Sequence, residues 1–190
     1  EKSKVTNLGM LGAGMMGSGI ALVSAQAGIN VILLDSTIES ATKGKQYTEK
    51  YLEKSIALKK MTPEKAQEIM DRIHVTTDFS DLKDCDLIIE AVFENRDIKA
   101  DVTEKTEKII ADSVIFASNT STLPITGLAK ASIRPKSFIG MHFFSPVERM
   151  PLVEIIMGEE SSDEALAKSL DYIQQIKKTP MVINDSRGFF

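Results

Sequence analysis

Residues Leu8 to Ala21 read LGMLGAGMMGSGIA, which sets Gly12, Gly14 and Gly17 in a G-x-G-x-x-G spacing between an apolar run and a helix-forming run. In such a turn one glycine permits the tight reversal, the next lets a diphosphate approach the backbone, and the third lets the new helix pack closely on its strand. Ala13, Met15 and Met16 fill the intervening positions and belong to the same expected phosphate site. A helix N-terminus stabilises negative charge through free N–H groups and the positive end of its dipole, so no basic side chain is needed there.

A glycine-rich turn by itself is also an ordinary structural device, and its neighbours decide the reading. Val5 to Leu11 supply a strand, Met15 to Ala27 a helix, Gly28 its stop, and Val31 to Leu34 a second apolar strand ending in Asp35. A carboxylate about 20 residues past the glycines is placed to accept hydrogen bonds from an adenosine ribose. Asp35 would repel a ribose 2′-phosphate, and neither Ser36 nor Thr37 offers an arginine to bind one, so the expected cofactor is NAD.

The chain has 190 residues, 43% of them hydrophobic, and a net charge of −4. That supports one sizeable core and carries no polyelectrolyte signature of nucleic-acid binding. The single cysteine, Cys85, rules out an intrachain disulfide framework and fits a reducing compartment. Neither metal-ligand spacing nor a membrane-spanning apolar run is present in the sequence. The chain begins at Glu1 without an initiator Met or a signal-peptide pattern and stops in the apolar run Gly188-Phe189-Phe190, so a fragment of a longer protein is expected.

Ser36 to Arg72 lacks strand character and is rich in Lys, Glu, Gln and Ala. Ser36 with Glu39 forms a capping-box pair, and Thr62-Pro63 pairs an N-cap with Pro at the first helical position, so two helices joined near Lys60 are expected as an arm. Its lysines read as a solvated face, a minority of them available to an anionic substrate. Strands follow at 74–77, 86–92, 114–118 and 137–142, with helices at 97–111 and 124–131 between the later ones. That alternation implies right-handed crossovers and a doubly wound, largely parallel α/β sheet. Leu152 to Met157 follows the 137–142 strand after too short a loop for a crossover, so these two should pair antiparallel. Ser161 and Glu164 cap a helix to Ile176, and Met181 to Ile183 gives a last strand.

A turn centred near Glu148 puts residues whose numbers sum to 296 opposite one another, and His142 and Glu154 are such a pair. An imidazole beside a carboxylate is a candidate general base, because the carboxylate fixes the tautomer and stabilises the imidazolium. The same pair also fits a surface hairpin without a chemical task. ASNTSTLP, Ala117 to Pro124, offers Ser118, Asn119, Thr120 and Ser121 beyond a strand end, where doubly wound folds bind ligands. These residues equally suit capping of the helix begun by Pro124. EAVFENRDIK adds Glu90, Glu94 and Lys99 at another strand end, where ordinary solvated charges are the alternative.

The stretches GAGMMGSGIA, IEAVFEN, ASNTSTLPI, RPKSFIGMHFFSPVERMPLVEII and DSRGFF together resemble the NAD-binding domain of L-3-hydroxyacyl-coenzyme A dehydrogenase, in that family's order and over almost the whole chain. GMHFFSPVERMPLVEII is especially similar to the fused multifunctional fatty-acid β-oxidation enzymes. The resemblance implies a Rossmann-like domain over residues 1–184, with a helical arm over about 36–72. Residues 185–190 would then start a linker to a C-terminal helical domain. It further implies that His142 takes the proton of the substrate 3-hydroxyl, that Glu154 orients His142, and that Ser121 bonds near the substrate oxygen and the nicotinamide. Glu94 and Lys99 would line the cofactor site. The resemblance also implies a contact to the nicotinamide amide at Ser145, where monofunctional members commonly carry Asn and fused enzymes also carry serine.

The partners implied are a 3-hydroxyacyl-CoA substrate, the helical domain, an upstream hydratase/isomerase domain and a thiolase. The implied location is the bacterial cytoplasm, with mitochondrion and peroxisome as alternatives. Two other readings stand beside this one. Another NAD-dependent β-hydroxyacid dehydrogenase would rely on a catalytic Lys from a following helix, and a structural or regulatory NAD-binding protein would have lost turnover.

Overall fold

The Gly-rich turn joins β1 (Asn7–Leu11) to α1 (Met15–Gln26) in the computed structural model, which describes residues 2–185. β1 is flanked by β2 (Asn30–Leu34) and β4 (Leu87–Glu90), and the full strand order is β3-β2-β1-β4-β5-β6-β7-β8. The remaining strands are β3 (Ile73–Thr76), β5 (Ile115–Ser118), β6 (Phe138–Phe143), β7 (Leu152–Met157) and β8 (Thr179–Asn184). Every neighbouring pair is parallel except β6–β7. This is the expected doubly wound sheet. Its C-terminal addition is antiparallel at one step only, because α6 (Asp163–Gln175) carries the chain back so that β8 runs parallel to β7.

The arm consists of α2 (Ile38–Ala57) and α3 (Pro63–Asp71), and α4 (Arg96–Glu107) and α5 (Ile125–Leu128) cross over later. One apolar cluster joins α1, the arm and α6 to one sheet face, and the other lies between the opposite face and α4–α5. The central strands are buried along their length, as a sheet covered on both sides requires.

The structure corrects several local expectations. Thr37, not Ser36, caps α2, its hydroxyl accepting from Ser40 N. Ser162, not Ser161, caps α6. Ser161 instead donates to Phe138 O at 2.7 Å, which a two-residue capping pattern does not reveal. The 124–131 helix is one turn, Ile125–Leu128, followed by a 3₁₀ turn over Ala129–Ala131. The last strand is longer than expected and includes Pro180, tolerated because β8 is a sheet edge. Of the expected linker start only Asp185 lies within the described residues.

Candidate active site

At the turn, Gly12 has φ +94°, and a Cβ there would stand 2.6 Å from the Ala91 carbonyl oxygen. A Cβ at Gly17 would stand 1.8 Å from the Gly12 carbonyl oxygen, so the missing side chain is what lets α1 start against the turn. Gly14 differs: a Cβ there would meet nothing within 4 Å and would project into open space. Gly14 is also the N-cap of α1, with no side-chain cap bond and no acidic residue in the first turn. Those N–H groups therefore face the opening without a side-chain acceptor, which suits a phosphate.

The opening leads into a cleft of about 770 Å³ lined by Gly12, Gly14, Asp35, Ala91, Phe93 and Ile98, among others. Asp35 follows directly on β2 at its carboxyl end. One carboxylate oxygen accepts from Ala13 N at 2.8 Å, the other from Ser36 N at 2.6 Å, so the acid is aimed across the turn. Phe93 and Ile98 are exposed there, an apolar wall fit for an adenine. Open backbone at Gly14, an uncapped helix start and a directed carboxylate fit a dinucleotide with an unmodified ribose. A residue the sequence reading passed over supports the turn from behind. Gly44 of α2 comes so close that a Cβ would stand 2.8 Å from Ala13 Cβ, and its one sequence sign is a glycine inside a helical run.

The other half of the site stands where β5 and β6 end. The β6–β7 register places His142 opposite Glu154, as the hairpin arithmetic anticipates. His142 Nδ1 lies 2.9 Å from Glu154 Oε2, and Glu154 is 1% exposed. A carboxylate buried so fully is held in place by that charge-assisted contact, while its Oε1 has no hydrogen bond among the described residues. Ser121 Oγ lies 3.3 Å from Nε2, on the more open side of the ring, and the Phe144 ring packs edge-on at 4.8 Å. The imidazole is thus fixed on one nitrogen, with the other directed to an exposed hydroxyl. That arrangement can accept a proton from a substrate oxygen and disperse the resulting charge.

Behind Ser121 runs a buried polar network. Lys99, 2% exposed, places its ammonium 2.5 Å from Glu90 Oε1 and 3.4 Å from Glu94 Oε2. It does not line the cleft itself; its ammonium also donates to the carbonyl oxygen of Val92, a lining residue, at 3.4 Å. Glu90 also accepts from Ser118 Oγ and Val92 N, a role its place in a strand did not disclose. Glu94 accepts from the Thr120 and Thr122 hydroxyls. Burial opposes ionisation of Glu94, but the Thr120 hydroxyl, the Lys99 ammonium and the Thr122 N–H outweigh it and hold its carboxyl below the ordinary value. Asn119 Oδ1 accepts from Phe143 N at 2.8 Å, tying this loop to the residue after His142. Ser145 is exposed, and its hydroxyl reaches Met15 Sδ at 3.7 Å, so it stands across the opening from the Gly-rich turn.

The fold and these two half-sites define an α/β dinucleotide-binding domain of the dehydrogenase type. The chain belongs to the family of 3-hydroxyacyl-CoA dehydrogenase NAD-binding domains, whose sequence profile matches residues 7–186. It is 46% identical over 185 residues to a fatty acid oxidation complex subunit alpha of Acinetobacter baylyi, and 44% identical to one of Psychrobacter sp.. Each match covers 97% of this chain and 26% of the relative, so the chain spans about a quarter of these proteins. The crystal structure of a (S)-3-hydroxybutyryl-CoA dehydrogenase from Ralstonia eutropha superposes with a TM-score of 0.95 at 38% identity, covering 98% of this chain and 66% of that one. The cofactor of the family is NAD. Among the described residues no helix is long and apolar enough to cross a membrane.

Proposed function

We propose that this chain is the cofactor-binding part of a dehydrogenase that oxidises the 3-hydroxyl of L-3-hydroxyacyl-CoA to the ketone in fatty-acid β-oxidation. The observation that carries the proposal is the His142–Glu154 pair, with Ser121 on the second ring nitrogen, at the strand ends beside the Gly-rich turn. NAD, when bound, supplies the acceptor for the hydride that leaves C3. His142 Nε2 takes the hydroxyl proton, and Glu154 stabilises the imidazolium that forms. Ser121 donates to the substrate oxygen and orients it toward the imidazole. Gly12, Ala13, Gly14, Met15, Met16 and Gly17 hold the diphosphate, and Asp35 holds the adenosine ribose. Glu94 and Ser145 border the nicotinamide end, and Lys99 supports Glu94 from below.

The chain spans about a quarter of its relatives, which supports further domains in the whole protein; in this reading the cofactor domain ends near residue 184 and a helical domain that closes over the acyl thioester follows. An upstream hydratase/isomerase domain and a thiolase partner belong to the same reading, in the cytoplasm of a bacterium. The experiment compares NADH formation from 3-hydroxyacyl-CoA by this chain alone and by the chain joined to the following domain of its own protein. Negligible turnover alone and robust turnover when joined is expected, since orientation and water exclusion need the second wall. No turnover by the joined protein, with NAD bound, would overturn the assignment.

A further inference from the structure

α5 begins with a defect. Its N-cap is Pro124, which brings no side-chain acceptor, so the first N–H groups of the helix have no local cap. Asp185, 60 residues beyond Ile125 and 59 beyond Thr126 at the exit of β8, supplies both bonds. Its Oδ1 accepts from Ile125 N at 2.9 Å and its Oδ2 from Thr126 N at 2.8 Å. The two N–H groups it captures belong to the segment that runs directly out of the Ser121 loop.

What the clamp fixes is the seat of Ile125. That side chain is fully buried, and it rests on β6 at Gly140, where a Cβ would stand 2.7 Å from Ile125 Cγ1. Gly140 and His142 are two residues apart on one strand and therefore share a face. The same face of β7 carries Ile156 and Glu154, opposite them in register. Ile125 over Gly140 and Ser121 over His142 are thus two contacts of one short segment with one strip of sheet. Between them Leu123 N donates to Thr120 Oγ1 at 3.0 Å, which keeps the intervening residues in a closed turn.

The upstream end of this segment is held by Asn119 on Phe143 N and by Glu94 on Thr120 and Thr122. The downstream end is held by Asp185. We infer that Asp185 is a positioning residue for the reaction: by clamping the start of α5 it seats Ile125 on Gly140 and thereby sets the distance from Ser121 Oγ to His142 Nε2. The inference rests on the proposed roles of His142 and Ser121.

The chain has only two histidines, His74 and His142. His74 is exposed on β3 at the opposite edge of the sheet and serves as internal reference. The test records the ring signals of both by NMR in the cofactor-free chain, for wild type, Ser121→Ala, Asp185→Ala and Asp185→Asn. Asp185→Asn retains the shape and one acceptor, so it remains informative if the alanine variant does not fold. The expected result is that Ser121→Ala displaces the His142 signals, both Asp185 variants displace them in the same direction, asparagine less than alanine, and His74 does not move. The chain joined to its following domain should lose at least tenfold in kcat on Asp185→Ala, with NADH affinity unchanged within twofold. His142 signals at the wild-type position in both Asp185 variants overturn the inference, as does a Ser121→Ala spectrum identical to wild type. Absence of turnover in the joined wild-type protein counts against the dehydrogenase assignment instead, and leaves the ring signals to decide the clamp.

Discussion

The same single methyl group, added at Gly14 or at Gly17, should have opposite consequences. At Gly17 the new Cβ would stand 1.8 Å from the Gly12 carbonyl oxygen, more than an ångström inside the closest approach real Cβ atoms make. Both groups are backbone in a buried turn, so neither can rotate away. α1 must lift off β1, and overpacking of this kind costs about 3 kcal/mol, the upper end of the usual range. For a domain of this size that lowers the melting temperature by roughly 6–12 °C. At Gly14 the methyl meets nothing within 4 Å, and φ is −69°, which any L residue adopts. Stability should stay within about 0.5 kcal/mol of wild type. The methyl stands in the path of a diphosphate approaching the helix start, however, and NAD affinity should fall about fivefold to about 150-fold, the counterpart of roughly 1–3 kcal/mol of overpacking. Thermal melts without cofactor, followed by calorimetric titration with NAD, separate the two effects. Gly17→Ala melting with the wild type, or Gly14→Ala binding NAD as wild type does, would refute the geometric account of the turn.

Three further outcomes are expected. Asp35→Ala should lose on the order of 1.5–3 kcal/mol of NAD binding, as removal of a charge-assisted hydrogen bond does, and titration should show the wild type binding NADP far more weakly than NAD; equal wild-type affinities would contradict the ribose role of Asp35. In the chain joined to its following domain, His142→Gln should lower kcat by about 10²–10⁴ with NADH affinity retained, and Glu154→Gln should lower it in the same sense, checked by steady-state rates beside fluorescence titration. Glu94 has a folded-state pKa below its ordinary value of 4.5. It therefore stabilises the fold above the unfolded-state pKa, and that stabilisation disappears as pH falls through the folded value. Urea melts of wild type and Glu94→Gln should differ near neutrality and the gap should shrink as pH falls below the ordinary value of 4.5, whereas a constant gap would deny the linkage.

The turn, the first three elements around it and the placement of Asp35 beside the turn were legible because each rests on a local rule: glycine where a side chain cannot fit, a helix after it, and a carboxylate at a set distance. The His142–Glu154 pairing was legible for a related reason. A hairpin's register follows from where its turn is centred, and a centre at Glu148 gives the observed pairing. Strand limits and caps were less so, because Thr37 against Ser36, or Ser162 against Ser161, is decided by which hydroxyl the neighbouring chain leaves free.

Only the folded chain decides the rest. Glu90, Lys99 and Glu94 look like solvated charges along the chain, and they form one network because β4 and β5 are neighbours and α4 folds back over both. Asn119 reaches Phe143 across strands, Gly44 makes room for Ala13 from another helix, and Asp185 caps a helix that begins 60 residues upstream. Such contacts depend on where distant backbone arrives, and no periodicity or spacing encodes that. The sequence by itself determined that a dinucleotide-binding sheet forms and which imidazole faces which carboxylate. How firmly the serine is held against that imidazole was left to tertiary structure, since hydrogen bonds from three separated segments, at Glu94, Phe143 and Asp185, converge on a single loop.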